Sequence, residues 1–313
     1  MVDNGSSDGS VAWLRSAWPD VKVLELGQNL GYAAACNRGA TAASAPVVMF
    51  HNNDAIVRPG WSAALCRALE STTDTVIAGG LTLFLREPSR VNSAGIRIAI
   101  SGAATDIGFA RLASEMDLTE RDVAGVSGVS MAVQRRWFEA AGGFDEDYFM
   151  YFEDADLCLR AWVEGYRVRF TPDAVVLHAF GATSGDRTSE LRHYYGSRNR
   201  LLTVAKSFGV GSLILAAPLC IAQDLGVVVW LLASGQIAAS RRAAKGKFRG
   251  TVMAARAMPD YLFRKRSEVT RKRSVRDLQR LGIVDSVGAS LREFARMRRV
   301  GPAGVPKSVG RHQ

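Results

Sequence analysis

The 313-residue sequence contains little cysteine. Its four cysteines, Cys36, Cys66, Cys158 and Cys220, are widely separated, and no two of them form a CxxC pair. This spacing is typical of reduced thiols in a cytosolic protein, and it argues against a disulfide framework or a zinc-binding cluster. Internal repeats and low-complexity tracts are also absent. Because 48% of the residues are hydrophobic, the chain has enough apolar surface to form a globular core.

Acidic residues become scarce towards the C-terminus. Residues 241–313 hold 20 Lys or Arg and only 5 Asp or Glu, so the overall charge of +10 comes entirely from this tail. A basic tail can bind nucleic acid or anionic lipid. Two uncharged stretches, residues 207–223 and 225–240, precede the tail and are separated only by Asp224. They favour lipid over nucleic acid.

The N-terminal half alternates between short apolar runs and helical patterns. Residues 22–26, 46–50 and 76–83 are predicted strands, and residues 61–70 form an amphipathic helix. This alternation predicts an α/β fold with a mostly parallel sheet and helices on both faces. Ligands of such sheets bind beyond the carboxyl ends of the strands.

An acidic cluster follows in the middle of the chain. Glu153, Asp154 and Asp156 suit the first turn of a helix, where the helix dipole favours negative charge, and Asp156 is placed to pair with Arg160. Two short strands are then predicted at residues 167–170 and 174–180, joined by a turn at residues 171–173. This order brings Asp154 and His178 to one edge of the sheet. The alternative is a solvated helix N-terminus with an incidental histidine.

With these residues in view, the chain resembles family-2 glycosyltransferases of the GT-A fold, in the branch related to rhamnosyltransferases and galactofuranosyltransferases. Each motif is weak alone, but together they follow the order and spacing of the family over roughly residues 2–200. The matching pieces are VDNGSSDG at residues 2–9, NLGY at 29–32, NRG at 37–39, NND at 52–54, GGFDE at 142–146, FEDADL at 152–157, GY at 165–166, and His178.

The resemblance implies a donor site for a nucleoside diphosphate sugar. Asp3 matches a position that binds the base or ribose, and Asn29 and Asn37 match positions near the ribose and diphosphate. Asn53 and Asp54 belong to the segment that matches the family's DxD motif, which contacts the sugar diphosphate and a divalent cation. The first position of that motif is Asn52 here, which can offer only a neutral amide.

The resemblance also implies the catalytic groups of an inverting transferase. Asp54 and His178 match the ligands of a divalent cation, Mn²⁺ or Mg²⁺, which stabilises the charge of the leaving diphosphate. Asp154 matches the general base that takes the proton of the acceptor hydroxyl. The branch suggests rhamnose as the sugar, and a lipid-linked or cell-envelope glycan as the acceptor.

The family's first strand and first helix should precede Val2 and are missing from the sequence. We therefore expect the true start to lie upstream, and a chain without that central strand to be poorly stable or poorly active. This keeps a second function open, an inactive glycosyltransferase fragment or a module that only binds sugar nucleotide. Nucleic-acid binding through the basic tail is a third, less favoured function, because the tail contains no recognisable reader motif.

We predict three parts. Residues 1–205 form the GT-A-like domain, residues 206–240 an apolar membrane-associating helical segment, and residues 241–313 a basic helical tail with a disordered end. Val210–Ala233 is predicted to lie in the plane of the membrane or to re-enter it. The chain would then be peripheral or monotopic on the cytoplasmic face of the cell membrane, held by anionic lipid. The alternative is a buried packing helix.

Overall fold

A computed structural model describes residues 1–180 and 189–289 of the chain. The described residues form twelve strands in three sheets, and the largest sheet has seven strands in the order β3-β10-β5-β11-β4, with β6 paired to β5 and β9 paired to β11. The strands are β1 (Val2–Asp3), β2 (Leu24–Glu25), β3 (Val47–His51), β4 (Ala55–Val57), β5 (Thr75–Phe84), β6 (Glu87–Ser93), β7 (Ile96–Ala99), β8 (Ala104–Asp106), β9 (Arg121–Asp122), β10 (Ser130–Gln134), β11 (Arg167–His178) and β12 (Val284–Asp285).

The helices flank this sheet and then continue as a helical C-terminal region, as the sequence predicts. They are α1 (Ser10–Ala17), α2 (Tyr32–Ala42), α3 (Trp61–Glu70), α4 (Arg135–Ala140), α5 (Glu153–Val163), α6 (Glu190–Ser207), α7 (Val210–Ala233), α8 (Ile237–Asp260) and α9 (Val275–Arg280). A π-helical turn, Tyr261–Lys265, extends α8.

The prediction of a mostly parallel sheet needs correction, because the seven-stranded sheet is mixed. Its parallel pairing joins β5 and β11, whereas β10 runs antiparallel to both β3 and β5. Between β5 and β10 the chain passes through β6 to β9 and returns to the edge where β3 and β5 end, so β10 must run back across the sheet. Strands β1 and β2 form a separate parallel pair.

The predicted turn at residues 171–173 is also wrong. The two predicted strands are one strand, β11, whose pairing with β5 shifts register between Thr171 and Val175. Pro172 lies in this irregularity, where a residue without an N–H group is tolerated. Gly80 on β5 faces it, and a Cβ atom there would lie 2.0 Å from the carbonyl oxygen of Ala174. The glycine therefore permits the close approach of the two strands.

Helices cover both faces of the large sheet. On one face α3 packs against three buried alanines of adjacent strands, Ala78, Ala132 and Ala174, whose small side chains let the helix come close. On the other face Leu157 and Leu159 of α5 belong to the main core. The predicted pair of Asp156 and Arg160 is confirmed, with 2.9 Å between the carboxylate and Nε. Helix α5 is thus fixed with its first turn at the edge of the sheet.

The C-terminal region packs on this domain. Helix α6 lies against α7 and α8, and β12 pairs with β7. At Gly246 and Gly250 of α8, a Cβ atom would lie 2.3 Å from carbonyl oxygens of α6. The division at residues 205 and 240 stays a prediction, although α8 runs across the second boundary. The predicted disordered end, residues 301–306 and beyond, lies outside the described residues.

Candidate active site

Asp54 and His178 meet at the edge of the large sheet. Strand β4 pairs antiparallel with β11 so that Ala55 lies opposite His178, and the backbone N–H of Ala179 donates to the carbonyl oxygen of Asp54. This register brings Oδ1 of Asp54 to 3.3 Å from Nε2 of His178. Asn53 is exposed in the turn between β3 and β4. The pairing of β4 with β11, which the sequence did not reveal, is what joins these two residues.

The surroundings of His178 define how its ring can act. Nδ1 of the buried imidazole lies 2.8 Å from Oδ1 of Asn92, and an amide oxygen can only accept, so Nδ1 carries the proton. In the neutral form of the ring, Nε2 then presents a lone pair towards the Asp54 carboxylate. Oδ1 of Asp54 and this lone pair both carry negative charge density, so a positive charge between them would stabilise the pair. The buried Oδ1 of Asn52 accepts no hydrogen bond from the described residues.

These donors fit a hard divalent cation. Carboxylate, amide oxygen and imidazole nitrogen suit Mn²⁺ and Mg²⁺, which are normally completed by water and substrate phosphate. Within residues 1–180 and 189–289 no cluster of three His, Cys, Asp or Glu side chains is placed to hold a metal by itself. The protein would thus supply Asp54, His178 and Asn52, and the diphosphate of a substrate would supply further oxygens.

Asp154 lies in the first turn of α5 and is half-buried. Its Oδ2 accepts a hydrogen bond of 3.1 Å from the backbone N–H of Gly128, and its Oδ1 accepts one of 2.8 Å from the backbone N–H of Ala155. Burial raises the pKa of this carboxyl above its ordinary value, although both hydrogen bonds oppose the shift. A carboxylate with a raised pKa is a stronger base, as proton abstraction from a hydroxyl requires.

Glu153 beside it is buried and has a different environment. Burial raises the pKa of Glu153 to about 8, and the negative charge of Asp154 acts in the same direction. Its Oε2 has no hydrogen-bond partner among the described residues. Burial and the charge of Asp154 thus favour the protonated form of Glu153.

The segment before Asp154 is strained and held from a distance. Phe149, Tyr151 and Phe152 have φ angles of 62°, 64° and 74°, a conformation that side chains with a Cβ rarely adopt. The buried Asn199 of α6 stabilises this segment, because its Nδ2 donates to the carbonyl oxygens of Tyr148, Met150 and Tyr151. In the sequence, the only signal for the role of Asn199 is that a polar residue stands within the buried part of α6.

The residues predicted to bind the nucleotide are engaged locally. The Asp3 carboxylate accepts hydrogen bonds from the backbone of Gly5 and Ser6, which form its own turn. The exposed Asn29 accepts from Asn4 and from the N–H of Gly31. These contacts fix the loop that leads into α2 and leave the roles of Asp3 and Asn29 towards a nucleotide as predictions.

Asn37 has a structural contact that sequence analysis did not reveal. Its Oδ1 accepts from the N–H of Phe144, and its Nδ2 donates to the carbonyl oxygen of Phe144 and to Glu146. Both ends of the amide therefore tie α2 to the segment that leads to α5. A direct role in binding a donor stays a prediction.

Tyr32 connects the loop that contains Asn29 to the segment around Asp154. Its N–H donates to the carbonyl oxygen of Phe149, and its hydroxyl donates to the carbonyl oxygen of Gly128, whose N–H holds Asp154. The structure thus brings Asp154 together with the loop of Asn29. It separately joins Asp54 and His178.

Comparison with known proteins gives a consistent result. Residues 1–139 match the model of the glycosyl transferase family 2. The chain is 32% identical over 222 residues to the N-acetylglucosaminyl-diphospho-decaprenol L-rhamnosyltransferase of Mycobacterium tuberculosis, covering 63% of this chain and 71% of that protein. It is 27% identical over 271 residues to the pre-mycofactocin glycosyltransferase of the same organism, covering 79% of this chain and 53% of that protein.

A solved structure shows the same fold. The crystal structure of GalNAc-T7 with UDP, GalNAc and Mn²⁺ superposes with a TM-score of 0.51 at 16% sequence identity, over 66% of this chain and 41% of that one. At this identity the likeness extends to the fold and no further. The predicted α/β architecture of a GT-A glycosyltransferase is confirmed.

Proposed function

This chain belongs to glycosyltransferase family 2, and from that premise we propose that it is an inverting, metal-dependent transferase. It moves a sugar, with L-rhamnose the first candidate, from a nucleoside diphosphate sugar to a hydroxyl of a lipid-linked glycan. The observation that carries the proposal lies at the C-terminal end of β3. Asp54 contacts His178 there, and the N–H of Gly128, just before the β10 residue that pairs with His51, holds the carboxylate of Asp154. The name of the mycobacterial rhamnosyltransferase supports the choice of sugar and acceptor.

Asp154 acts as the general base of this reaction. Its position in the first turn of α5 and the N–H of Gly128 hold the carboxylate in one orientation. It accepts the proton of the acceptor hydroxyl while the hydroxyl oxygen forms a bond to the anomeric carbon and the bond to the diphosphate breaks. Attack opposite the leaving group inverts that carbon. The hydrogen bonds of Asn199 keep the strained segment before α5 in place.

Asp54, His178 and Asn52 would hold the divalent cation, Mn²⁺ or Mg²⁺. When bound, the cation neutralises the charge that develops on the leaving diphosphate. Asn92 fixes the tautomer of His178, so that Nε2 keeps its lone pair for the cation. We place the nucleoside on the side of Asp3, Asn29, Asn37 and Asn53.

We also propose that the protein works on the cytoplasmic face of the membrane. Helix α7 is long and apolar enough to cross a bilayer, and only 17% of its most apolar window is buried. Its polar pair faces the protein, because Asp224 contacts Arg200 and Lys247 and Gln223 accepts from Ser101. Elsewhere the helix exposes a row of apolar side chains, among them Val210, Ile214, Ile221, Leu225, Val229 and Leu232. This geometry suits a helix that lies in the membrane plane.

Nucleic acid is a less suitable partner of the basic tail. In its described part Arg271 and Arg273 donate to backbone carbonyl oxygens of Lys206, Gly165 and Tyr166. These guanidinium groups hold the tail to the domain and do not form an open basic surface. Anionic lipid headgroups beside α7 remain the proposed partner.

Asp154→Asn tests the assignment of the base. Transfer should fall by roughly 10²–10⁴, the effect typical of a positioned base, while nucleoside diphosphate binding is retained. The control is Asp173→Asn, which makes the same chemical change at a side chain that is 73% exposed. Nucleotide release and the anomeric configuration of the product are measured together. Near-wild-type transfer by Asp154→Asn, or a product that retains configuration, would refute the mechanism.

A further inference from the structure

The guanidinium group of Arg192, in the first turn of α6, lies between two aromatic rings. Its Cζ is 5.3 Å from the ring centroid of Tyr151 and 5.9 Å from that of Phe180. Both distances are within the range of cation–π contacts. The two rings come from different segments of the site, since Tyr151 belongs to the segment before Asp154 and Phe180 follows His178.

This guanidinium has no carboxylate partner within the described residues, where its side-chain contacts are the two rings. Glu190, the acid nearest in the chain, pairs instead with Lys245 and Arg249. Arg198, nearly two turns further along α6, donates to the carbonyl oxygen of Asp147 and to Asn199. Arg192 is half-buried, and its guanidinium group carries five N–H donors.

The two rings are themselves held firmly. Phe180 packs edge-on against Phe84, lies 5.5 Å from Phe109 and lies 5.9 Å from the imidazole of His178, measured between ring centroids. The backbone of Tyr151 accepts a hydrogen bond of 2.8 Å from Asn199. Phe180 is therefore close to both the guanidinium and the His178 imidazole, and Tyr151 links the guanidinium to the segment before Asp154.

We propose that Arg192 binds a diphosphate group at the boundary between the donor and acceptor sites. A guanidinium fork matches two phosphate oxygens at once, and the rings keep it oriented before the ligand arrives. The inference rests on the proposed function, in which two substrates carry this chemistry. One is the nucleoside diphosphate of the donor, and the other is the diphosphate that joins the acceptor sugar to its lipid.

Arg192→Gln and Arg192→Lys test this proposal in the full chain. Calorimetry measures the binding of a nucleoside diphosphate with Mn²⁺ and of inorganic pyrophosphate. Steady-state assays measure the KM of a diphosphate-linked lipid acceptor and that of a simple glycoside acceptor without phosphate. The control is Arg249→Gln, which removes the same charge from an exposed side chain that pairs with the start of α6.

The two sources of diphosphate predict different results. Weakening of nucleoside diphosphate binding by about 10- to 100-fold in Arg192→Gln, with partial rescue in Arg192→Lys, would assign the residue to the donor. A rise of about the same factor in the KM of the diphosphate-linked acceptor, with the KM of the simple glycoside unchanged, would assign Arg192 to the acceptor. Unchanged binding of both ligands and unchanged KM values would overturn the proposal. If the wild-type protein showed no transfer at all, the proposed function would be refuted instead, and the calorimetric binding measurements would still test Arg192.

Discussion

Replacing Lys206 with methionine should destabilise the fold strongly. The ammonium group of this buried lysine lies 2.8 Å from Asp145 and 3.0 Å from Asp156, and both carboxylates are buried. Burial alone would raise the pKa of Asp145, but the ammonium groups of Lys206 and Lys265 reverse the effect and hold this pKa well below its ordinary value. Lys206→Met removes a shared partner and leaves two negative charges in a buried site.

The magnitude follows from the contacts that would remain. Removing one partner from a buried ion pair costs about 3–5 kcal/mol. Asp145 keeps its contact with Lys265 at 2.7 Å, and Asp156 keeps Arg160 at 2.9 Å. These contacts place the expected loss at the lower end, about 3 kcal/mol. For a chain of this size such a loss lowers the melting temperature by about 5 °C.

Thermal and denaturant unfolding of the full chain measure this loss. The matched control is Lys245→Met, because Lys245 pairs with Glu190 at the surface with 64% of its side chain exposed. An exposed pair contributes about 0–1 kcal/mol, so the control should melt close to the wild type. Equal melting temperatures for the two variants would refute the argument that the buried charges are held by Lys206.

Further expectations concern pH, the cation and the membrane. Because burial raises the pKa of Asp154, the transfer rate should begin to fall at a pH above the ordinary pKa of an aspartate. A rate that stays constant until the pH reaches that ordinary pKa would contradict this expectation. Transfer should require a divalent cation. His178→Ala should raise the Mn²⁺ concentration needed for a half-maximal rate at least 10-fold, as the loss of other metal contacts does. An unchanged Mn²⁺ titration of this variant would show that His178 does not hold the cation. Leu225→Lys, at a side chain 60% exposed on α7, should release the protein from anionic vesicles in sedimentation assays. Leu281→Lys, at a side chain 55% exposed elsewhere, should not, and equal sedimentation of the two variants would favour a mere packing role for α7.

Several features of the site could be predicted because they depend on local sequence. Asp154 lies in the first turn of a helix, and His178 lies at the end of a strand, as their neighbours indicated. The pair of Asp156 and Arg160 follows from helical spacing alone. Local sequence was not enough to predict the contact between Asp54 and His178, because that contact depends on β4 pairing with β11 in one register.

Other features depend on contacts between distant segments. Asn199 supports a loop 48 residues away in sequence, and no local pattern marks an asparagine within a helix for that role. The antiparallel direction of β10 follows from the path of the chain between β5 and β10, which strand patterns do not encode. In α7 the composition indicated an apolar helix, but the direction of Asp224 is set by Arg200 and Lys247, which lie on other helices.

The most direct test of the account is a transfer assay with the purified chain. A panel of nucleoside diphosphate sugars is offered with Mn²⁺ to a polyprenyl diphosphate acceptor that carries N-acetylglucosamine. We expect one donor, with rhamnose as the first candidate, to give an inverted glycosidic product, and we expect a chelator or Asp154→Asn to abolish its formation. Neither transfer nor donor hydrolysis from any member of the panel, by a protein that is folded and binds nucleoside diphosphate, would contradict it.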